Sequence, residues 1–406
     1  MKTIIHNKNI VLGVSGGIAA YKSVELLRLL KKEGADVRVM MTRNALAFVG
    51  KMTFEALSGH PVCTNLFESR SDVSIKHIEW AEKADAVVIA PATANIIGKI
   101  ANGIADDALT TFMLAVTKPK LICPSMNTLM YQSKAMQRNL EILESDGCMI
   151  IEPSAGELAC GTSGPGRLPE PPDILDRLKA CLTSKDLKGK HVLVTAGPTR
   201  EAIDPVRFIS NPSSGKMGFA IARAAEHRGA EVILVSGPVT LSDPLNIKVI
   251  KVQTAEEMAE TVFSLADAAD IIIKTAAVSD YRPKEVANQK IKKADEEMLL
   301  TLQKNPDILR ELGRRKKDHQ ILVGFAAETQ ELEMNAGKKL AEKNLDIIAG
   351  NLVNHPGSGF GTDTNQVTLF FRNGTKEQLP AMEKDAVAHL LLDRVSRLKI
   401  VSGVQK

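Results

Sequence analysis

Cys160, in the segment ACGTSGPGRL (159–168), is followed by glycines and a proline. That setting suits a loop thiol open to chemistry rather than a side chain packed in a strand. The other cysteines, Cys63, Cys123, Cys148 and Cys181, read as small buried hydrophobes. Five is an odd count and no CxxC pair occurs, so neither a disulfide framework nor a zinc cluster is indicated. His77, in KHIEW (76–80), is of the residue type that moves protons near neutral pH. Two glycine-rich segments could cradle phosphate: GVSGGIA (13–19) and SSGKMG (213–218). The first does not have GxGxxG spacing. The second has Ser210 where a P-loop needs glycine and Met217 where it needs Ser or Thr. Neither a dinucleotide-binding fingerprint nor a Walker NTPase is therefore supported. Small residues after a strand still let helix N-terminal amides approach a phosphate. Lys339 and Lys343 are four apart, share one helix face and can converge on phosphates. The stretch KEVANQKIKKADEE (284–297) is polar and lysine-rich enough to cover a nucleotide, with Lys292 and Lys293 reading as solvated charge. Asp280 ends an apolar run, a usual place for a carboxylate that meets a magnesium–nucleotide complex.

The elements that must carry these residues repeat one plan twice. An apolar strand over IVLGV (10–14) leads through Gly16 and Gly17 into a helix with Val24, Leu27 and Leu30 on one face. Gly34 stops that helix, and DVRVMM (36–41) is a second strand. In the second half, HVLVTA (191–196) precedes a helix starting near Lys216, then AEVILVS (230–236). The third strands also correspond, DAVVIAPATAN (85–95) with DIIIKTAAVSD (270–280). Near-continuous apolar strands separated by helices predict parallel sheets covered on both faces. Each half is thus expected to be a doubly wound α/β domain that binds ligand at the carboxyl ends of its strands. The polar, lysine-rich stretch 183–190 marks the boundary, giving domains at 1–189 and 190–406. VTLFF (367–371), Asn373-Gly374 and Gln378-Leu379 predict a hairpin, and Val387, Leu391, Val395 and Leu398 a closing helix.

Four segments of the first half fall after successive strands: residues 13–22, MTRNA (41–45), APATAN (90–95) and CPSMNTLMY (123–131). With His77 and the ACGTSGPGRL segment they resemble the flavin-dependent cysteine decarboxylases. Together with SNPSSGKMG (210–218), the chain resembles over essentially its whole length the bifunctional family in which phosphopantothenoylcysteine decarboxylase is fused to phosphopantothenate–cysteine ligase. Tyr131 stands where that family's PxMNxxMW motif has Trp.

The resemblance implies a flavodoxin-like flavoprotein domain followed by a Rossmann-like one. In the first, FMN oxidises the cysteinyl thiol so that carbon dioxide can leave, then returns the electrons; the cofactor does the redox work and the protein positions and protonates. By match, Cys160 is the proton donor of the reductive half and His77 the base or proton partner of the oxidative half. Asn127 holds the substrate carboxylate with its amide donors. Ser15, Gly16 and Gly17 contact the FMN phosphate side, Thr42 and Thr93 contact the flavin further on, and Arg167 closes over substrate. In the second domain, CTP activates 4′-phosphopantothenate as an acyl-cytidylate, and the amine of cysteine displaces CMP. Asn211 matches the residue that binds that intermediate, with Arg207 nearby, and Lys290 matches the essential lysine. Lys274, Thr275, Ala276, Asp280, Asn305, Pro306, Asp307, Ile308, Phe325, Lys339 and Lys343 match nucleotide contacts, and Asp280 is the candidate Mg2+ contact. The family's assembly is a dodecamer, built from trimers of the first domain and dimers of the second.

Composition narrows the alternatives. A length of 406 residues is too much for one ordinary core, which favours two domains. With 44% hydrophobic and 25% charged residues the chain falls in the soluble globular class, not among collagens or disordered tails. Aromatics are only 4%, against a protein that stacks many bases, and 52 basic to 48 acidic residues gives +4, too even to argue for nucleic acid or membrane. No stretch offers about 18 consecutive apolar residues, and Lys8 interrupts what a signal peptide would need, so a cytoplasmic location is expected. Two other readings are a one-activity flavin-dependent decarboxylase and a non-enzymatic regulatory homologue. Asn211 and Lys290 weigh against the first; His77, Asn127 and Cys160 weigh against the second.

Overall fold

The computed structural model describes residues 3–66, 76–157, 161, 163–292, 298–328, 330–352, 359 and 361–402. The chain divides into two compact units between Thr183 and Ser184. The first contains β1 (Asn9–Val14), α1 (Ala20–Lys32), β2 (Asp36–Met41), α2 (Lys51–Ser58), α3 (Lys76–Lys83), β3 (Ala86–Ala92), α4 (Ala94–Ala101) and α5 (Ala108–Ala115). It continues with β4 (Lys120–Pro124), α6 (Thr128–Tyr131), α7 (Lys134–Ser145), β5 (Cys148–Ile150), β6 (Ser154–Glu157), β7 (Ser163–Arg167) and α8 (Pro171–Leu182). Strands β1 to β5 pair in parallel in the order β2-β1-β3-β4-β5, the flavodoxin order. All seven residues of β3 are buried, as a strand covered on both faces requires. Strands β6 and β7 form a separate antiparallel hairpin.

The second unit runs through β8 (His191–Ala196), β9 (Arg200–Ala202), β10 (Phe208–Ser210), α9 (Lys216–His227), β11 (Glu231–Ser236), β12 (Lys248–Lys251), α10 (Ala255–Ala266) and β13 (Ile271–Lys274). Then come β14 (Tyr281–Pro283), β15 (Leu302–Lys304), α11 (Ile308–Arg315), β16 (Ile321–Glu328), α12 (Leu332–Glu342) and β17 (Ile347–Leu352). It ends with β18 (Thr364–Asn365), β19 (Thr368–Phe371), β20 (Lys376–Gln378), β21 (Met382–Glu383) and α13 (Lys384–Ser402). The main sheet has the order β12-β11-β8-β13-β16-β17-β19-β20. Its first six strands are parallel and follow the 3-2-1-4-5-6 order of a Rossmann sheet; β19 and β20 add the expected antiparallel hairpin. Val387, Leu391 and Val395 of α13 are buried against α9 and the sheet. Leu187 joins the same core, so the lysine-rich stretch before β8 packs with the second unit. No helix among the described residues is long and apolar enough to cross a membrane.

The packing of α9 on α13 buries charge. Arg228, 4% exposed, donates from Nε to Asp186 at 2.8 Å and from Nη1 to Asp393 at 2.8 Å and the His389 carbonyl at 3.0 Å. Burial, with the neighbouring His227 and Arg228, pushes the His389 imidazole down to about 4 from 6.5, against Asp385 and Asp393. The folded state therefore keeps His389 neutral. Its contribution is full above the unfolded value and is lost as pH falls from 6.5 through about 4. The second unit is expected to lose up to about 3 kcal/mol over that window from this group. Urea midpoints at pH 7 and pH 4.5 check this: His389→Gln should shrink the difference, and an unchanged difference excludes His389 as its source.

Candidate active sites

The first cavity opens at the carboxyl end of the first sheet, where β1 and β3 part. It encloses about 1440 Å³ and is lined by Ser15, Gly16, Gly17, Thr42, Thr93, Asn127 and Arg167 among others, so the fold gathers these seven candidates in one place. Ser15 also has a structural part. Its hydroxyl donates to the Pro91 carbonyl at 2.7 Å, accepts from the Thr93 amide at 3.0 Å and lies 3.1 Å from Thr93 Oγ1. It thus ties the loop after β1 to the loop after β3. Gly16 is required by close approach: a Cβ there would sit 2.4 Å from Asn44 Cβ. No side chain caps the start of α1; the Ala20 amide bonds to the Gly17 carbonyl and the Lys22 amide to the Ala19 carbonyl, both at 3.0 Å, and the Gly16-Gly17 turn ahead of them lines the cavity. The Thr42 hydroxyl is buried without a hydrogen-bond partner among the described residues. An unsatisfied buried hydroxyl beside a roomy cavity fits a polar ligand that completes it.

The other wall is the loop after β4. Asn127 caps α6: its Oδ1 accepts from the Leu129 amide at 2.8 Å, which fixes the amide plane and sets the Nδ2 end as donor. The hairpin seats directly on this turn. The Met126 amide donates to the Gly166 carbonyl at 3.0 Å, and a Cβ on Gly166, whose φ is +147°, would meet Met126 O at 2.2 Å. Arg167 on β7 lies 3.6 Å from Glu170, which Lys22 also holds at 2.7 Å. Cys160 lies outside the described residues. His77 is half-buried on α3 and does not line this cavity within one chain. Residues outside the motifs line it as well, among them Asp106 and Asp107. Asp107 forms a capping box with Thr110 at the start of α5, and Lys99 pairs with Asp106 at 2.7 Å. Paired aspartates ahead of an apolar run are an N-cap signature that the sequence did display.

The second cavity, about 390 Å³, lies at the β8/β13 switch point of the second sheet. Asn211, Lys274, Thr275, Ala276 and Phe325 line it, with Ser213 and Lys216 of the SSGKMG segment; Asn351, Asn365 and Lys384, outside every motif, join them. Asn211 donates from Nδ2 to the Ala277 carbonyl at 3.0 Å. Gly218 lets α9 press onto the sheet, since a Cβ there would sit 2.5 Å from both Ala196 Cβ and Thr275 Oγ1. Lys274 donates to the Ala276 carbonyl at 3.0 Å. Burial, then Lys343, pushes its ammonium down to about 8, while Asp307 and Asp280 oppose.

The remaining candidates do not line this cavity. Lys343 pairs with Asp307 at 2.8 Å and Lys339 with Glu328 at 2.6 Å, so the two lysines engage separate carboxylates. Asp307 caps α11 through the Arg310 amide; burial would raise its carboxyl, but Lys343 and that amide bring it below the usual range. Asn305 bridges the Ser279 carbonyl and Arg282, Pro306 follows it, and Ile308 is buried. The Asp280 carbonyl accepts from the Asn305 amide. No group of three or more His, Cys, Asp or Glu poised for a metal occurs among the described residues, so Asp280 alone makes no protein-built metal site. Arg207 and Lys290 stand on an arm. Arg207 grips the buried Asp204 at 2.6 and 2.9 Å and donates to the Ile291 carbonyl at 3.2 Å, while Lys290 is exposed.

Fold and cavities together define an α/β protein of two units with one cavity at the switch point of each main sheet. Residues 2–183 match the flavoprotein family, and residues 187–398 match the C-terminal domain of the DNA/pantothenate metabolism flavoproteins. Over 404 residues the chain is 53% identical to the coenzyme A biosynthesis bifunctional protein CoaBC of Bacillus subtilis (strain 168), covering 98% of this chain and 99% of that one. It is 47% identical over 392 residues to the protein of the same name from Escherichia coli (strain K12), covering 96% of each. A crystal structure of the C-terminal domain of a CoaBC protein is 45% identical, covering 53% of this chain and 98% of that one with a TM-score of 0.46. The chain belongs to the bifunctional coenzyme A biosynthesis protein family.

Proposed function

We propose that this chain makes 4′-phosphopantetheine in two steps, first joining cysteine to 4′-phosphopantothenate with CTP and then decarboxylating the product with FMN. The observation that carries the reading is the presence in one chain of two cavities at two switch points, each lined by residues of the matching motif. The first cavity fits FMN by its donors. The Gly16-Gly17 turn ahead of α1 suits the phosphate, Gly16 lets the chain pass close, and Thr42 offers an unsatisfied hydroxyl. When bound, the flavin supplies the chemistry of taking electrons from the substrate thiol and giving them back. Asn127 donates from Nδ2 to the substrate carboxylate and Arg167 closes over it. His77 handles the proton of the oxidative half and Cys160 Sγ gives the proton of the reductive half.

In the second cavity a carboxylate oxygen of 4′-phosphopantothenate attacks the α-phosphorus of CTP and pyrophosphate leaves. The cysteine amine then attacks the acyl carbon and CMP leaves. Lys274, charged below about pH 8, faces the nucleotide, and Asn211 holds the intermediate. Mg2+ arrives with the triphosphate, with Asp280 its candidate contact. Lys290 reaches the triphosphate from the arm. Exposed apolar residues on that arm, Val206 (58%), Phe208 (47%) and Val286 (54%), favour its being presented by a second copy, in keeping with a homo-oligomer. The family's dodecamer and a cytoplasmic location belong to the same proposal.

The test supplies 4′-phosphopantothenate, cysteine, CTP and Mg2+ to the purified protein without oxygen or added reductant, with mass spectrometry of the products. The expected products are 4′-phosphopantetheine, CMP, pyrophosphate and carbon dioxide. Accumulation of phosphopantothenoylcysteine would remove the decarboxylase. Absence of pyrophosphate would remove the ligase, and a strict need for reductant would sink the internally balanced redox cycle.

A further inference from the structure

The hydroxyl of Tyr131 joins two elements that the chain brings together from different places. Tyr131 closes the turn that begins at Asn127, its amide donating to the Asn127 carbonyl at 2.9 Å. Its ring is buried, 8% exposed, among Ile122, Met136, Leu140 and Cys148. Its carbonyl accepts from Gln137 Nε2 at 2.6 Å, which fixes the turn from behind. The phenol O–H donates to Glu152 Oε2. Burial, then this bond, raises the phenol above its usual value, so it stays a donor at any working pH.

Glu152 stands just ahead of β6, and β6 carries the register of the hairpin, Ser154 pairing with Arg167. The β7 side of the same hairpin already rests on the Asn127 turn, through the Met126 amide and through Gly164, where a Cβ would meet Thr128 Cγ2 at 2.7 Å. The Tyr131–Glu152 bond fastens the other side. With both sides fastened, the backbone that carries Arg167 keeps its place relative to the Asn127 turn, so that the Arg167 side chain closes from a fixed base. With one side loose, the hairpin can pivot about the Met126–Gly166 contact and carry Arg167 away. A displacement of about 1 Å in such a pair is enough to weaken recognition of a carboxylate.

We propose that Tyr131 is a positioning residue for the decarboxylation: its hydroxyl bond to Glu152 locks the Asn127 turn to the Arg167 hairpin, so that both side chains meet one substrate together. This rests on the roles given above to Asn127 and Arg167. Tyr131 is not a catalytic residue, because its hydroxyl is spent on Glu152.

The experiment measures KM and kcat for phosphopantothenoylcysteine with the full-length, flavin-loaded protein. Tyr131→Phe keeps the buried ring and removes only the donor. It is expected to raise KM roughly tenfold with kcat within about twofold, at unchanged flavin content and unchanged pyrophosphate release in the other unit. Glu152→Ala should do the same. The double variant should be no worse than either single one, since each breaks the same bond. Glu152→Gln, whose amide oxygen still accepts from the phenol, should restore near wild-type KM. A wild-type KM in Tyr131→Phe overturns the proposal, as do single effects that multiply in the double variant. Should Tyr131→Phe not fold, the Glu152→Ala and Glu152→Gln pair decides alone: equal KM values overturn it. A wild-type protein without decarboxylase activity fails the functional reading instead, which keeps the two failures distinct.

Discussion

Lys290→Gln is expected to stop pyrophosphate release from CTP, with or without cysteine, while decarboxylation of supplied phosphopantothenoylcysteine continues. The lysine is exposed, but its segment is held. The Ile291 amide donates to Asp204 at 3.2 Å, Arg207 reaches the Ile291 carbonyl, and the Ala287 amide bonds to the Ile203 carbonyl at 3.0 Å. Asp204 is itself held well below the usual carboxylate range, by Arg207 first and then by the backbone amides it accepts from. The backbone that carries Lys290 is thus fixed, and the ammonium is the charge it offers to the triphosphate. Removing one preorganised charge of this kind costs about 3–4 kcal/mol, a factor of roughly 10²–10³ in rate. Asn211→Asp should behave differently. Its carboxylate cannot donate to the Ala277 carbonyl and repels the bound intermediate, so cytidylate formation survives while amide yield falls. A normal rate of pyrophosphate release in Lys290→Gln would take that residue out of the activation step, and loss of flavin in either variant would mark a defect of folding.

Much of this was readable in the chain because it is written locally. The apolar runs that became β1, β3, β8 and β13, the glycines ending helices, and the Asn373-Gly374 turn each carry their cause within a few residues. The doubly wound class followed from that alternation. The sheet orders placed the loops after β1, β3 and β4 around one cavity and those after β8 and β13 around another. What the sequence did not carry were partnerships between distant side chains. Lys339 and Lys343 share a helical spacing, but Glu328 and Asp307, remote in sequence, take them to separate carboxylates. Ser15 sits in a phosphate-type loop, yet Pro91 and Thr93 claim its hydroxyl. His77 has the right residue type and does not line the cavity of its own chain. Tyr131 stands out in sequence only as a departure from the family motif, and nothing local marks Glu152 as its partner until the hairpin folds back.

Asn127→Asp should abolish most decarboxylation and leave the fold intact. The two side chains have the same shape, and a carboxylate accepts from the Leu129 amide as well as an amide oxygen does, so α6 keeps its cap. What changes is the other end. A donor facing the substrate carboxylate becomes a second negative charge. Two such charges about 4 Å apart at a half-screened site repel by about 4 kcal/mol. That corresponds to a loss of about 10³ in kcat/KM for phosphopantothenoylcysteine. Flavin content and pyrophosphate release should stay at wild-type levels, since neither depends on this amide. The sign of the pH response separates repulsion from misfolding: acidification protonates the introduced carboxyl, restores a donor and should recover part of the lost activity, whereas a damaged site gains nothing from acid. A variant within tenfold of wild type at neutral pH would mean that Asn127 serves as the cap of α6 and not as the group that meets the carboxylate.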